Sequence, residues 1–134
     1  MSGVKIIRVL LLADSDVLVM VPASRVVAGT LPQGTTLPAI SITEVSRVER
    51  VVLKASANSH CTSRIQATVI TDSYPAQKAL LGAMRHACRD KIGLIAGIGG
   101  ASVKLDSTGP DFNDPDTSFY MQSQDFKVSY TEPT

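Results

Sequence analysis

Two histidine–cysteine pairs, His60-Cys61 and His86-x-Cys88, are the residues of this chain best suited by type to hold a metal or attack a substrate. A structural zinc site needs four ligands at short paired spacings, such as two residues between cysteines, and neither pair supplies them. On a helix, positions two apart lie about 200° around the axis, so His86 and Cys88 face opposite ways. The spacings fit one core thiol and two surface histidines. A cysteine–histidine catalytic couple also needs an activating neighbour and a third group to orient the base, and nothing flanking Cys61 or Cys88 offers either. The expectation is no catalytic residue, no metal and no cofactor.

Three further clusters point to chemistry and stop short of it. Gly97-Ile98-Gly99-Gly100 has the composition of a phosphate loop. The dinucleotide fingerprint requires a strand before it and a helix after it, whereas here a helix precedes and a strand follows. It reads as a flexible connector. Asp111, Asn113, Asp114 and Asp116 carry oxygen ligands for a divalent cation, yet the glycine and terminal Glu of a calcium loop are missing, and Asp, Asn and Pro are ordinary turn residues. Arg47, Arg50, Lys54 and Arg64 are interleaved with Glu44 and Glu49 and lack stacking aromatics. They read as members of cross-strand ion pairs, not as a nucleic-acid track.

The elements that position these residues follow from size and pattern. At 134 residues the chain has the size of one domain, residues 1–134, and its 44% hydrophobic content is enough to pack a core without disulfide or metal. Aromatics are only 4%, so the core is expected to be Val, Ile, Leu and Ala. The net charge of +1 favours neither nucleic acid nor membrane, but its distribution is uneven. Up to Leu105 there are 12 Lys and Arg against six Asp and Glu; from Asp106 on there is one Lys against six acids. Two cysteines are too few for a disulfide framework and are expected to be free thiols in a reducing compartment. The apolar runs Val9–Leu12 and Val17–Val21 are broken by Asp14 and Asp16, too short to span a membrane, and no secretory cleavage pattern follows the start.

Spacing predicts a helix over Val4–Ala13 with Ile6, Ile7, Leu10 and Leu11 in one stripe; Asp14-Ser15-Asp16 either ends it or caps a short second helical turn over Val17–Val21, which Pro22 stops. Ser24–Ala28 reads as a short edge strand and Gly29–Pro38 as a structured loop. Ala39–Val48 reads as a strand, with a possible continuation over Glu49–Ala55. Asn58-Ser59-His60 reads as a turn and Arg64–Thr71 as a half-buried strand. A long helix is expected from Ser73 as cap, with Pro75 in its first turn, to about Lys91 and a stop at Gly93. Its buried stripe is Leu80, Ala83, Met84, Ala87 and Cys88; its wet face is Gln77, Lys78, Arg85 and Arg89. Strands over Ala101–Asp106 and Thr117–Thr131 close the chain, with a turn-rich loop between them and a frayed end at Glu132-Pro133-Thr134. The order is α+β: an antiparallel β-sheet with one long helix and an N-terminal helix packed on it.

Leu31-Pro32-Gln33-Gly34 followed by Leu37-Pro38-Ala39-Ile40 resembles the loop-into-strand segment of the bacteriophage tail-completion proteins, also called tail terminators. Arg64-Ile65-Gln66-Ala67-Thr68-Val69, Ser73-Tyr74 and the helix at Ala79 are similar to that family's central strand and helix. Ser123-Gln124-Asp125-Phe126-Lys127-Val128 with Tyr130 is similar to its closing strand. Order and spacing hold from about Val4 to Thr131. The chain departs from the family at Ala76-Gln77, where an acidic residue is common, and near Thr71, where a large aromatic is common.

The resemblance implies a structural protein with no catalytic residue. It implies a ring, typically a hexamer, at the head-proximal end of a tail tube, which ends tube growth and meets the head-completion proteins. The implied partners are copies of itself, the major tail tube protein and a head-completion or neck protein, with DNA passing through the ring and no membrane or sequence-specific nucleic-acid contact. The implied location is the virion tail or neck, after assembly in the host cytoplasm. Alternatives are a head-completion or adaptor protein of the neck, and a small cytosolic enzyme or metal-binding protein. The residues themselves are consistent with ring assembly: exposed strand edges pair readily, and a basic front with an acidic back can supply complementary patches. Inter-subunit or axial contacts are expected from the loop Pro32-Gln33-Gly34 and from Asp111, Phe112, Asp114 and Asp116.

Overall fold

A computed structural model describes residues 2–50 and 58–133. Its elements are helix α1 (Ser2–Leu12), helix α2 (Ser15–Met20), a short 3-10 turn (Ala23–Arg25), strands β1 (Val26–Ala28), β2 (Ala39–Glu49) and β3 (Asn58–Thr71), and helix α3 (Tyr74–Cys88). Strands β4 (Lys91–Ile95), β5 (Ile98–Thr108), β6 (Phe112–Asn113) and β7 (Tyr120–Pro133) complete it. The fold is α+β, as the order of elements predicts. The sheet runs β1-β2-β3-β7-β5-β4, with β6 added beside β7. All pairings are antiparallel except β1 with β2, where Val26–Ala28 lies alongside Ile40–Ile42.

One face of the sheet carries the core. Cys61, Ile65, Ala67 and Val69 of β3 lie opposite Tyr130, Phe126, Gln124 and Gln122 of β7, and helices α1 and α3 cover this face. Ile6, Ile7 and Leu11 come from α1 and Leu80, Met84, Ala87 and Cys88 from α3. Each such aliphatic side chain contributes about 1.5–3 kcal/mol when fully withdrawn from water. Two of the few aromatics, Phe126 and Tyr130, are the largest side chains in the interior. Gly3 lets α1 approach the sheet closely. A Cβ there would stand 2.8 Å from Ile65 Cδ1 and 3.2 Å from Ser63 Cβ, and both neighbours are buried.

The caps read from the sequence are in place. Asp14 accepts from the backbone N–H groups of Asp16 (2.9 Å) and Val17 (3.1 Å) at the start of α2. Ser73 accepts from Ala76 N–H at 3.3 Å at the start of α3. The far end of α3 differs from expectation. It stops at Cys88, and the turn is made by Asp90 (φ 52°), a residue type that tolerates the left-handed region. Gly93 lies inside β4 instead. The glycines expected to be a flexible link form a two-residue hairpin turn, Ala96 (φ 56°) and Gly97 (φ 77°), between the paired Ile95 and Ile98; Gly99 and Gly100 sit in β5. Asn58–His60 is strand rather than turn, and Glu132-Pro133 still pairs with Ser59 and Asn58. The expected continuation over Glu49–Ala55, with Lys54, falls mostly outside the described residues.

The stripe of α3 also needs correction. Gln77, assigned to the wet face, is fully buried, and Leu81 replaces Ala83 in the buried set. Neither amide atom of Gln77 has a hydrogen-bond partner among the described residues. Both thiols, not one, are buried.

The sheet curls enough that α1 touches both of its outer strands, β1 and β4. A cleft of about 330 Å³ separates Ala28 of β1 from Ile98 of β5 across Lys5 and Arg8 of α1. The opposite face of the sheet carries no helix among the described residues and is mainly polar: Thr62, Arg64, Gln66 and Thr68 on β3 lie beside Ser129, Lys127, Asp125 and Ser123 on β7.

Candidate docking surface at one end of the sheet

The open face changes character at one end. Ile70 on β3 pairs with Met121 on β7, and these two side chains floor an apolar groove. The loop between β1 and β2 supplies one wall. There Pro32-Gln33-Gly34-Thr35 forms a tight turn, with Thr35 N–H bonded to Pro32 O at 3.2 Å and Gly34 at φ 82°. A glycine at the third position of a turn meets that positive φ without a Cβ penalty. Ser41 Oγ donates to Gly29 O at 2.6 Å, and Arg25 Nε donates to Pro38 O at 3.0 Å, so both ends of the loop are tied to the scaffold. The Leu37–Pro38 peptide is cis.

The other wall is the turn between β6 and β7. Asp114 Oδ2 accepts from Thr117 Oγ1 at 2.7 Å, Ser118 N–H bonds to Asp114 O at 2.7 Å, and Asp114 N–H bonds to Phe119 O at 2.8 Å. The groove between the two walls has a volume of about 310 Å³, and its lining includes Leu31, Pro32, Leu37, Phe119 and Met121.

Of the seven residues expected to carry contacts, four meet here: Pro32, Gln33, Gly34 and Asp114. The other three do not line the groove. Asp116 is exposed on the adjoining turn, its N–H bonded to Asp114 Oδ1 at 3.4 Å. Phe112 is 51% exposed on β6, opposite Met121 in the ladder. Asp111 turns toward α3, where its carboxylate accepts from Lys78 Nζ (2.6 Å) and Tyr74 OH (2.8 Å). Those two partners, the ammonium first, hold the Asp111 carboxyl below its ordinary range, and the Lys78 ammonium is raised in turn. Lys78 also donates to Gln122 Oε1 at 2.9 Å and lies 5.1 Å from the Tyr74 ring centre. Asp111 is thus a clamp that fixes the loop to the long helix.

Sequence reasoning missed Ile70, Phe119 and Met121. A signal was present: along β3 the outward positions run Arg64, Gln66, Thr68, and Ile70 breaks that polar series.

The polar part of the open face is internally balanced. Asp125, only 4% exposed, accepts from Arg64 Nε at 2.8 Å, from Arg64 Nη2, and from Gln66 Nε2 at 3.1 Å. The hydrogen bond and charge of Asp125 raise the Arg64 guanidinium further above its ordinary value. Arg64, Lys127 and Lys104 form a row across three strands, yet Asp125, Asp106 and Asp90 stand beside it. This is the cross-strand pairing expected of Arg64, while Arg47 pairs with Glu49 within β2 at 3.9 Å. No group of three or more His, Cys, Asp or Glu side chains is placed to hold a metal among the described residues. His60 and His86 are exposed, whereas burial pushes the Cys88 thiol up to about 12. No helix among the described residues is long and apolar enough to cross a membrane.

Comparison with curated proteins returns no match. Among solved structures, a chain described as "Virion of native gene transfer agent (GTA) particle" superposes with a TM-score of 0.69 at 13% identity, over 97% of this chain and 96% of that one. At that identity the likeness establishes the fold. The family profile described as "Tail completion protein gp17" matches residues 5–131. The chain belongs to this family, whose proteins are structural components of phage and phage-like tails.

Proposed function

We propose that this protein assembles into a ring, of six copies as the family resemblance suggests, at the head-proximal end of a tail tube, where it ends tube growth and joins tail to head. It works by docking and not by turnover. The family match across residues 5–131 carries this reading. Two structural features support it. An apolar groove lies between two anchored loops at one end of the sheet, and among the described residues the outer strands β1 and β4 each pair with another strand on one side only. Known chains of the same fold include one from the virion of a gene transfer agent particle. One face of the ring would meet the major tail tube protein and the other a head-completion protein, with DNA passing along the axis.

The test is deletion of the gene from the phage or prophage that carries it. Without the protein, tubes are expected to overrun their normal length and to lack heads; supplying it in trans restores both. Tails of normal length joined to heads in the deletion strain would refute the reading.

A further inference from the structure

We infer that the groove between the two loops receives strand β4 of the neighbouring copy. This rests on the ring reading and specifies the contact that closes the ring. Strand β4 is the outer strand of the sheet on one side, and its Ile92 and Leu94 are 79% and 77% exposed, the most exposed large aliphatics of any strand described. Ile92 pairs with Ser102, which pairs with Ser129, so it stands on the helix-free face, the same face that bears the groove. Apolar side chains this far in water are a liability in an isolated domain and an asset at an interface.

The charges match the shapes. Beside the groove, Asp116 is exposed and forms no ion pair among the described residues, and the Asp114 carboxylate bonds only within its own turn. Next to Ile92 in the chain, Lys91 is exposed and forms no ion pair among the described residues; it pairs with buried Val103 and so leaves β4 on the face opposite Ile92, whereas Arg89 and Lys104 are both occupied with Asp90, at 3.9 and 4.0 Å. Because β4 is the outer strand, the long Lys91 side chain would meet Asp116 of the neighbouring copy around the strand's open edge. A volume of about 310 Å³ is at the low end for a ligand site and suits a few aliphatic side chains. Position agrees as well. Knob and groove are different patches at different ends of one sheet that curls around α1, and a head-to-tail contact between identical subunits requires two such patches. An isologous dimer would instead require each patch to meet itself.

Engineered cysteines test the contact, because Cys61 and Cys88 are both buried. Thr117, on the groove wall, and Leu94 are both exposed. The double variant Thr117→Cys with Leu94→Cys should form a ladder of disulfide-linked multimers under mild oxidation in purified particles, and neither single variant should. Independently, Lys91→Glu or Asp116→Lys should weaken self-association about fivefold per contact, and the two together should restore it. Particles that hold several copies yet give no ladder, with association indifferent to both charge reversals, would overturn this contact and leave the ring standing. One copy per particle by quantitative mass spectrometry would remove the ring reading itself, and the contact with it.

Discussion

Replacing Gln77 with Met should stabilise the protein. Gln77 is fully buried on α3, and neither its Nε2 nor its Oε1 has a partner among the described residues. A buried polar group left without a hydrogen bond costs about 1–3 kcal/mol. The amide presents one donor group and one acceptor, so the low end of that range, counted for each, sets a penalty of roughly 2 kcal/mol. Methionine is also unbranched, is similar in length and has nearly the same helix propensity, so packing and backbone terms change little. The net expectation is a gain of about 1–3 kcal/mol. For a chain of this size, that is roughly 3–6 °C in Tm for each kcal/mol. Urea denaturation followed by circular dichroism should show a higher midpoint at unchanged m-value. The companion variant Gln77→Glu should lose several kcal/mol, since it places an unpaired charge in the same site. A Gln77→Met midpoint equal to or below that of the parent would refute the reasoning, because it would mean that the amide is engaged.

Four further expectations follow from particular contacts. Gly3→Val should destabilise by about 1–3 kcal/mol by overpacking α1 against Ile65 and Ser63, while Gly82→Ala, in open space on α3, should not; paired urea melts decide this. Asp14→Ala should lose about 1 kcal/mol from the start of α2, read in the same melts. The Asp111 carboxyl, held low by Lys78 and Tyr74, should titrate by NMR below its ordinary value of about 3.9, and Lys78→Gln should bring it back up. Its lowered value means that the clamp stabilises the fold above about pH 4 and is lost as pH falls through the folded value; the raised Lys78 contributes below about pH 10.4 and is lost as pH rises through its own. Finally, Cys88, pushed up to about 12 chiefly by burial, should resist a thiol reagent at pH 8 until the protein unfolds, and its contribution to stability should decline as pH rises above about 8.5.

Local chemistry was the legible part of this chain. Asp14, Ser73 and Pro75 announce helix starts because a cap is decided by one side chain and its nearest backbone. The stripe of Ile6, Ile7 and Leu11 and the alternation of Ile65, Ala67 and Val69 announce faces because periodicity survives any tertiary context. What was not legible depends on contacts distant in sequence. Gln77 reads as a surface residue because its type is polar; only the packing of α1, α2 and the sheet around α3 buries it. Strand β4 hides behind the glycines at 93, 97, 99 and 100, which suggest a loop when taken singly and a hairpin only once Ile95 faces Ile98. The groove was half legible. The Pro32-Gln33-Gly34 turn and Asp114 stand out as loop chemistry, but that they face each other across Ile70 and Met121 is set by the pairing of β3 with β7.

The central claim is that this polypeptide acts by occupying a place, and electron microscopy of intact particles tests it most directly. Density for a ring of these domains at the junction of capsid and tail tube is the result the account predicts. Density at the distal tip, within the capsid, or nowhere in the particle would contradict it.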